Sequence, residues 1–191
     1  MRPVVLVDCD GPLADFDAAF FARCEANGWP LDCTLENQRH RFATDHIPNR
    51  THRALARKMV DTAGWFADLP VVGGAVEGLA ALDEVADTWV CSKPLEANPS
   101  SRDDKARWLT MHFGSYWAER LILVSDKSMV RGDVLLDDAP HPQWYGTATW
   151  TPVIFATPWN GAGSKWEGLP RWTWGDDVNQ LLECALDADR V

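Results

Sequence analysis

The chain has 191 residues, 46% of them hydrophobic, and 28 acidic against 18 basic side chains, a formal charge of −10. That length suits one full core with a small insertion rather than a second independent domain. An acidic balance with no Lys/Arg run argues against a nucleic-acid polymer as partner. No stretch approaches the ~18 uninterrupted apolar residues of a membrane span. The five cysteines form no CxxC pair and leave an odd number, so reduced thiols in a cytoplasmic setting are expected. Met1-Arg2-Pro3 leads straight into a strand, with no signal-peptide core. The sequence is compatible with a homodimer but carries no signal for one.

The first element is Val4-Val5-Leu6-Val7, a short β-branched run that reads as a buried parallel strand. It stops at Asp8-Cys9-Asp10-Gly11-Pro12, after which Leu13, Phe16, Ala19-Phe20 and Ala22-Arg23 recur at helical spacing. Gly28-Trp29-Pro30 ends that helix. Residues 31–68 carry no strand signal; they are polar, rich in His and Arg, and helical in patches such as Thr51–Val60, which suggests a small helical insertion. A helix opening at Gly73-Gly74 leads to a second strand, Thr88–Cys91, which ends at Ser92-Lys93-Pro94. Ser100-Ser101 resembles a helix start with a serine cap, with Asp103 and Asp104 in the first turn, and that helix runs to Phe113-Gly114. Leu121–Val124 and Val134–Leu136 are a third and fourth strand, followed by Ser125-Asp126-Lys127 and Asp137-Asp138 respectively. Trp150–Phe155 offers a fifth strand, and Asp176–Leu186 a closing helix. Strands alternating with helices indicate a doubly wound parallel α/β sheet.

A parallel sheet brings its strand tips to one edge, where ligands bind. Asp8/Asp10, Ser92, Lys127 and Asp137/Asp138 therefore converge, although they lie far apart in the chain. Two acids one residue apart repel and need a cation or a proton to coexist. Mg²⁺, which favours carboxylate and carbonyl oxygens, answers that need. Carboxylates, a hydroxyl and an ammonium around such an ion form a set suited to phosphoryl transfer.

These four motifs, in this order, resemble those of the haloacid dehalogenase superfamily. The flanking residues, Asp8-Cys9-Asp10-Gly11-Pro12-Leu13-Ala14-Asp15-Phe16, Gly64–Leu69, Gly74–Glu77, Val90-Cys91-Ser92, Asp126-Lys127-Ser128 and Asp133–Asp138, are similar to its 5′(3′)-deoxyribonucleotidase branch. The likeness runs to about residue 163 and is weak between 30 and 63. It implies a core of residues 1–17 and 69–191 with a helical cap over 18–68, and a phosphatase acting on nucleoside monophosphates. In that family pattern Asp8 attacks phosphorus and Asp10 protonates the leaving oxygen, then activates water. Mg²⁺ sits on Asp8, the Asp10 carbonyl and an acid of the Asp137-Asp138 pair, with Asp138 favoured. Ser92 and Lys127 hold the phosphate, and Phe16 and Phe42 meet the base. The family commonly has threonine then serine where this chain has Ser92 then Lys93, which puts a second cation beside the phosphate or in solvent. Pro12 stands in place of an aliphatic residue and stiffens the turn.

Two other readings share these motifs: a phosphatase for a sugar phosphate or other small metabolite, and a non-catalytic protein on the same fold. The intact Asp10 argues against the second. The five histidines show no metal-ligand spacing and are expected at the surface, as is the helix face bearing Arg50, Arg53, Arg57 and Lys58. Eleven tryptophans are expected mainly to pack.

Overall fold

The structure, a computed structural model, describes residues 2–187; Met1 and 188–191, at the ends of the expected core segments, lie outside the described residues. Six strands form one parallel sheet: β1 (Val4–Val7), β2 (Asp87–Ser92), β3 (Leu121–Leu123), β4 (Val134–Asp137), β5 (Thr151–Phe155) and β6 (Arg171–Trp172). Their order is β3-β2-β1-β4-β5-β6. The most apolar strand, β1, is therefore central, with Val5 opposite Thr88 on one side and Val134 on the other. Its alternation divides two cores. Val5 and Val7 join the larger cluster, with Phe20, Leu79, Leu82 and Trp108. Leu6 points the other way, onto Cys91, Leu135 and Trp150.

Helices α1 (Phe16–Ala26), α2 (Arg50–Val60), α3 (Ala75–Val85), α4 (Ser101–Phe113) and α5 (Ser115–Glu119) connect these strands, and α6 (Val178–Asp187) follows β6. Five strands and the longer helices follow the sequence pattern; β6 and α5 are too short to leave a periodic signal. Segment 31–68 contains no strand among the described residues, only α2 and short 3₁₀ turns. The chain enters and leaves this helical region side by side. Asp15 N donates to Pro70 O at 2.8 Å and Val72 N to Leu13 O at 2.8 Å. Among the described residues no helix is long and apolar enough to cross a membrane.

Three local expectations need correction. His46 is buried: its Nε2 accepts the Arg39 and His40 amides at 3.2 and 3.1 Å, and its Nδ1 lies 2.7 Å from Asp32 Oδ1. An imidazole can organise a loop in this way because it offers an acceptor and a donor at once. Arg53 does not simply face solvent, because Nε and Nη2 both donate to Ile47 O. Ser100 occupies the N-cap position of α4, but its hydroxyl donates to Asp104 Oδ2 at 2.5 Å and accepts from Gly64 N at 2.8 Å. It ties the helical region to α4 instead of capping the helix.

Candidate active site

Asp8 directly follows β1, and its Oδ1 accepts the Cys9 amide at 2.7 Å. Gly11 follows at φ 91°, where a Cβ would stand 2.6 Å from Asp138 Oδ2. Only glycine allows this turn to lie against the tip of β4. Lys127 reaches beneath the strand tips from its 3₁₀ turn, 2.7 Å from Asp137 Oδ2 and 3.0 Å from Asp8 Oδ2. Asp137 Oδ1 accepts from Ala139 N at 2.7 Å, so both its oxygens are engaged. Carboxylate oxygens of Asp8, Asp137 and Asp138 lie within 4.8 Å of one another.

A second buried cation completes the floor. Lys105, on α4, is 1% exposed, with Nζ 2.5 Å from Asp10 Oδ2 and 3.1 Å from Ser92 Oγ. Its ammonium also lies 4.7 Å from the centre of the Phe66 ring. Lys105 is inconspicuous in the sequence, because Arg102-Asp103-Asp104-Lys105 looks like a solvated helix start. A signal was present: Lys105 stands three and four residues before Trp108 and Leu109, on the face they bury.

Burial drives the electrostatics. It raises Asp138 well above the carboxylate range, and the charges of Asp137 and Asp8 add to the effect. It also raises Asp137 and Asp10, against the opposing pull of Lys127 and Lys105 respectively. Burial alone would depress both lysines, yet Asp137 and Asp8 hold Lys127 above its ordinary value, and Asp10 does the same for Lys105. Burial pushes the Cys9 thiol up to about 12, so it stays protonated and poorly nucleophilic. Three crowded carboxylates and an Asp10 Oδ1 that is buried without a partner form an oxygen-only donor set. Such a set fits a hard divalent cation.

Above this floor lies a cavity of about 850 Å³ lined by Asp8, Asp10 and Asp138, with Phe16, Phe66 and Phe42 along its walls. Phe16 belongs to an aromatic group: its ring centre is 5.4 Å from that of Trp65, 6.2 Å from Phe66 and 6.3 Å from Phe20. Phe42 is 62% exposed, with the Arg41 guanidinium 5.3 Å from its ring centre. Lys93 is exposed at the rim, whereas Ser92 and Lys127 are buried below the cavity surface.

This architecture is found in haloacid dehalogenase-like hydrolases. The crystal structure of one from Xanthomonas campestris matches with a TM-score of 0.52 at 12% identity over 100% of both chains, a likeness of fold alone. The family described as 5′ nucleotidase, deoxy (Pyrimidine), cytosolic type C protein matches residues 2–183, and the chain belongs to it. A Bordetella pertussis protein provisionally named 5′(3′)-deoxyribonucleotidase is 33% identical over 160 residues, covering 82% of this chain and 85% of that one. The human cytosolic-type 5′(3′)-deoxyribonucleotidase is 30% identical over 171 residues, covering 79% and 78%. The chain is accordingly a phosphatase, as its strand-tip motifs implied.

Proposed function

We propose that the chain hydrolyses nucleoside monophosphates in a Mg²⁺-dependent reaction through an aspartyl-phosphate. The observation that carries this reading is a floor of paired catalytic-type groups beneath an aromatic-walled cavity large enough for a nucleotide. Asp8 attacks phosphorus, and the bond to the ester oxygen breaks. Asp10, whose pKa burial raises, gives its proton to that oxygen. Asp10 then takes a proton from the water that hydrolyses the aspartyl-phosphate, which returns both acids to their starting state.

Lys105 keeps Asp10 in position and, with Lys127 and Ser92, offsets and binds the phosphate oxygens. Asp8, the Asp10 carbonyl and Asp138 would hold Mg²⁺. Asp138 serves better than Asp137, whose oxygens are taken by Lys127 and the Ala139 amide. When bound, the ion neutralises the phosphate charge that these carboxylates would otherwise repel. Phe16 and Phe42 offer faces to the base, Lys93 adds a cation at the rim, and 18–68 acts as a cap over the core of 1–17 and 69–191.

The test is a panel of deoxynucleotides, ribonucleotides, sugar phosphates and glycerol phosphate, run with Mg²⁺ and with EDTA. Nucleotides should show the highest kcat/KM, activity should vanish in EDTA, and Asp8→Asn should fold yet lose essentially all turnover. Outright preference for a sugar phosphate would overturn the substrate class. Activity in EDTA would overturn the mechanism.

A further inference from the structure

Asp17 is an ionisable group of the cavity wall that the reaction above does not use. It is the second residue of α1, where an acid that merely complements the helix dipole would face water. Here it is half-buried and lines the cavity. Its Oδ2 accepts from Trp159 Nε1 at 3.1 Å, and Gln38, another residue of the cavity lining, lies close enough to favour its ionised form. Gln38 is 2% exposed and is itself held by a bond from Nε2 to His40 O at 3.0 Å. Helix α1 and the segment after β5 thus meet at one carboxylate, whose direction Trp159 fixes, with Gln38 from the loop preceding α2 close by. Its ionised form is held at a cost: burial pushes Asp17 up to about 6 despite the Trp159 donor.

The neighbours of Asp17 locate it along the cavity. Asn160, next to Trp159, donates through Nδ2 to Asp138 O at 2.8 Å. Asp17 therefore stands at the Asp138 end of the cavity. The rings of Phe16, Phe20, Trp65 and Phe66 form one group, and Phe66 lies against Lys105, the partner of Asp10. Carboxylate and rings therefore address different parts of a ligand. A buried, oriented carboxylate recognises hydrogen-bond donors and rejects other anions. Close to the phosphate of a nucleoside monophosphate, the donor available is a sugar hydroxyl.

We propose that Asp17, oriented by Trp159, is a specificity-determining residue that accepts a hydrogen bond from a hydroxyl of the substrate sugar. The site then takes hydroxyl-bearing phosphomonoesters over analogues lacking the hydroxyl. This rests on the nucleotidase reading for the identity of the hydroxyl, though the chemistry of recognition does not depend on the base.

The experiment compares kcat/KM for dUMP and 2′,3′-dideoxyuridine 5′-monophosphate, and in parallel for glycerol 1-phosphate and propyl phosphate. The enzymes are wild type, Asp17→Ala and Trp159→Phe, all with saturating Mg²⁺. Wild type should favour the hydroxyl-bearing member of each pair by about ten- to a hundredfold, the range for a hydrogen bond to a charged group. Asp17→Ala should bring the ratio close to one by losing rate on the hydroxyl-bearing member alone. Trp159→Phe, which keeps the ring but removes the donor, should lower the ratio part of the way. If Asp17→Ala does not fold, the wild-type and Trp159→Phe ratios still decide. A wild type blind to the hydroxyl, or equal losses within both pairs, overturns the proposal. So does a loss on every substrate accompanied by a raised Mg²⁺ requirement, which would assign Asp17 to the surroundings of the metal. No turnover of nucleotides beside hydroxyl-selective turnover of glycerol phosphate would overturn the nucleotidase reading and leave the role of Asp17 standing.

Discussion

The floor of the cavity pairs its charges internally, Lys127 with Asp137 and Asp8, Lys105 with Asp10. The walls above offer rings and solvent-facing groups: Phe16 and Phe66 on one side, Phe42, Arg41 and Lys93 towards the opening. Groups locked to one another hold a fixed geometry, which suits the step common to every phosphomonoester. Faces with unused surface suit the selection of one ligand among many. Substitutions in the floor should therefore act on all substrates alike, and substitutions in the wall should act on them unequally.

The sharpest floor substitution after the nucleophile is Asp10→Asn. It should slow turnover by ~10²–10⁴-fold, the range for a lost proton-transfer group, on nucleotide and glycerol phosphate equally. In single-turnover phosphorylation p-nitrophenyl phosphate should suffer less, because its leaving group departs without a proton. Equal losses for p-nitrophenyl and glycerol phosphates in that first step would remove Asp10 from the proton transfer.

Lys105→Met tests whether the second buried cation belongs to the floor. Removing the ammonium leaves the half-buried Asp10 carboxylate beside an apolar chain, and taking the partner from such a group costs about 1–3 kcal/mol. A urea midpoint should show that loss, and kcat should fall by a common factor on every substrate. If kcat/KM falls for nucleotides alone, Lys105 reads the ligand instead of holding Asp10.

On the wall, Phe16→Ala should cost ~1–3 kcal/mol of nucleotide binding, as lost base–aromatic stacking does. That is about a 5- to 150-fold fall in kcat/KM, with glycerol phosphate, which cannot stack, little affected. Phe16 also packs on Trp65 and Phe20, so the same losses on both substrates would make it a core residue and erase the contrast between floor and wall.

Legibility in the sequence follows the same division. Strand tips are announced locally: a β-branched run stops at Asp8-Cys9-Asp10-Gly11 or at Asp137-Asp138, and parallel topology brings the ends together. That is why the central strands and the acids of the floor could be read without coordinates. Lys105 was hidden because its helix buries polar side chains, Asp104 and Lys105, on the same stripe as Trp108 and Leu109. Asp17 and Trp159 meet across 142 positions of sequence, and Gln38 joins them from a segment without periodicity. Contacts of that kind arise from tertiary packing and leave no mark in spacing. The short β6 was missed for a simpler reason, since Arg171–Trp172 is too brief to alternate.

The smallest expected effect concerns stability, and it separates wall from floor by pH. Burial raises Asp17 from 3.8 to about 6, so the folded protein holds that proton more tightly than the unfolded chain. The stability linked to it is fully present below pH ~4 and is lost as pH rises through about 6. Asp17→Asn removes the cost of burying the charge while keeping an oxygen for Trp159 Nε1. The full shift corresponds to about 3 kcal/mol, but the site is partly open to water and the helix start loses ~0.3–1 kcal/mol of dipole complementarity. Without divalent cations, the variant should be more stable than wild type by about 1–2 kcal/mol at pH 8, and the gain should vanish by pH 4. Urea unfolding of both proteins across this range measures it. A gain that does not change with pH would mean that Asp17 carries no buried charge, and the wall would then hold no ionised group fixed towards the ligand.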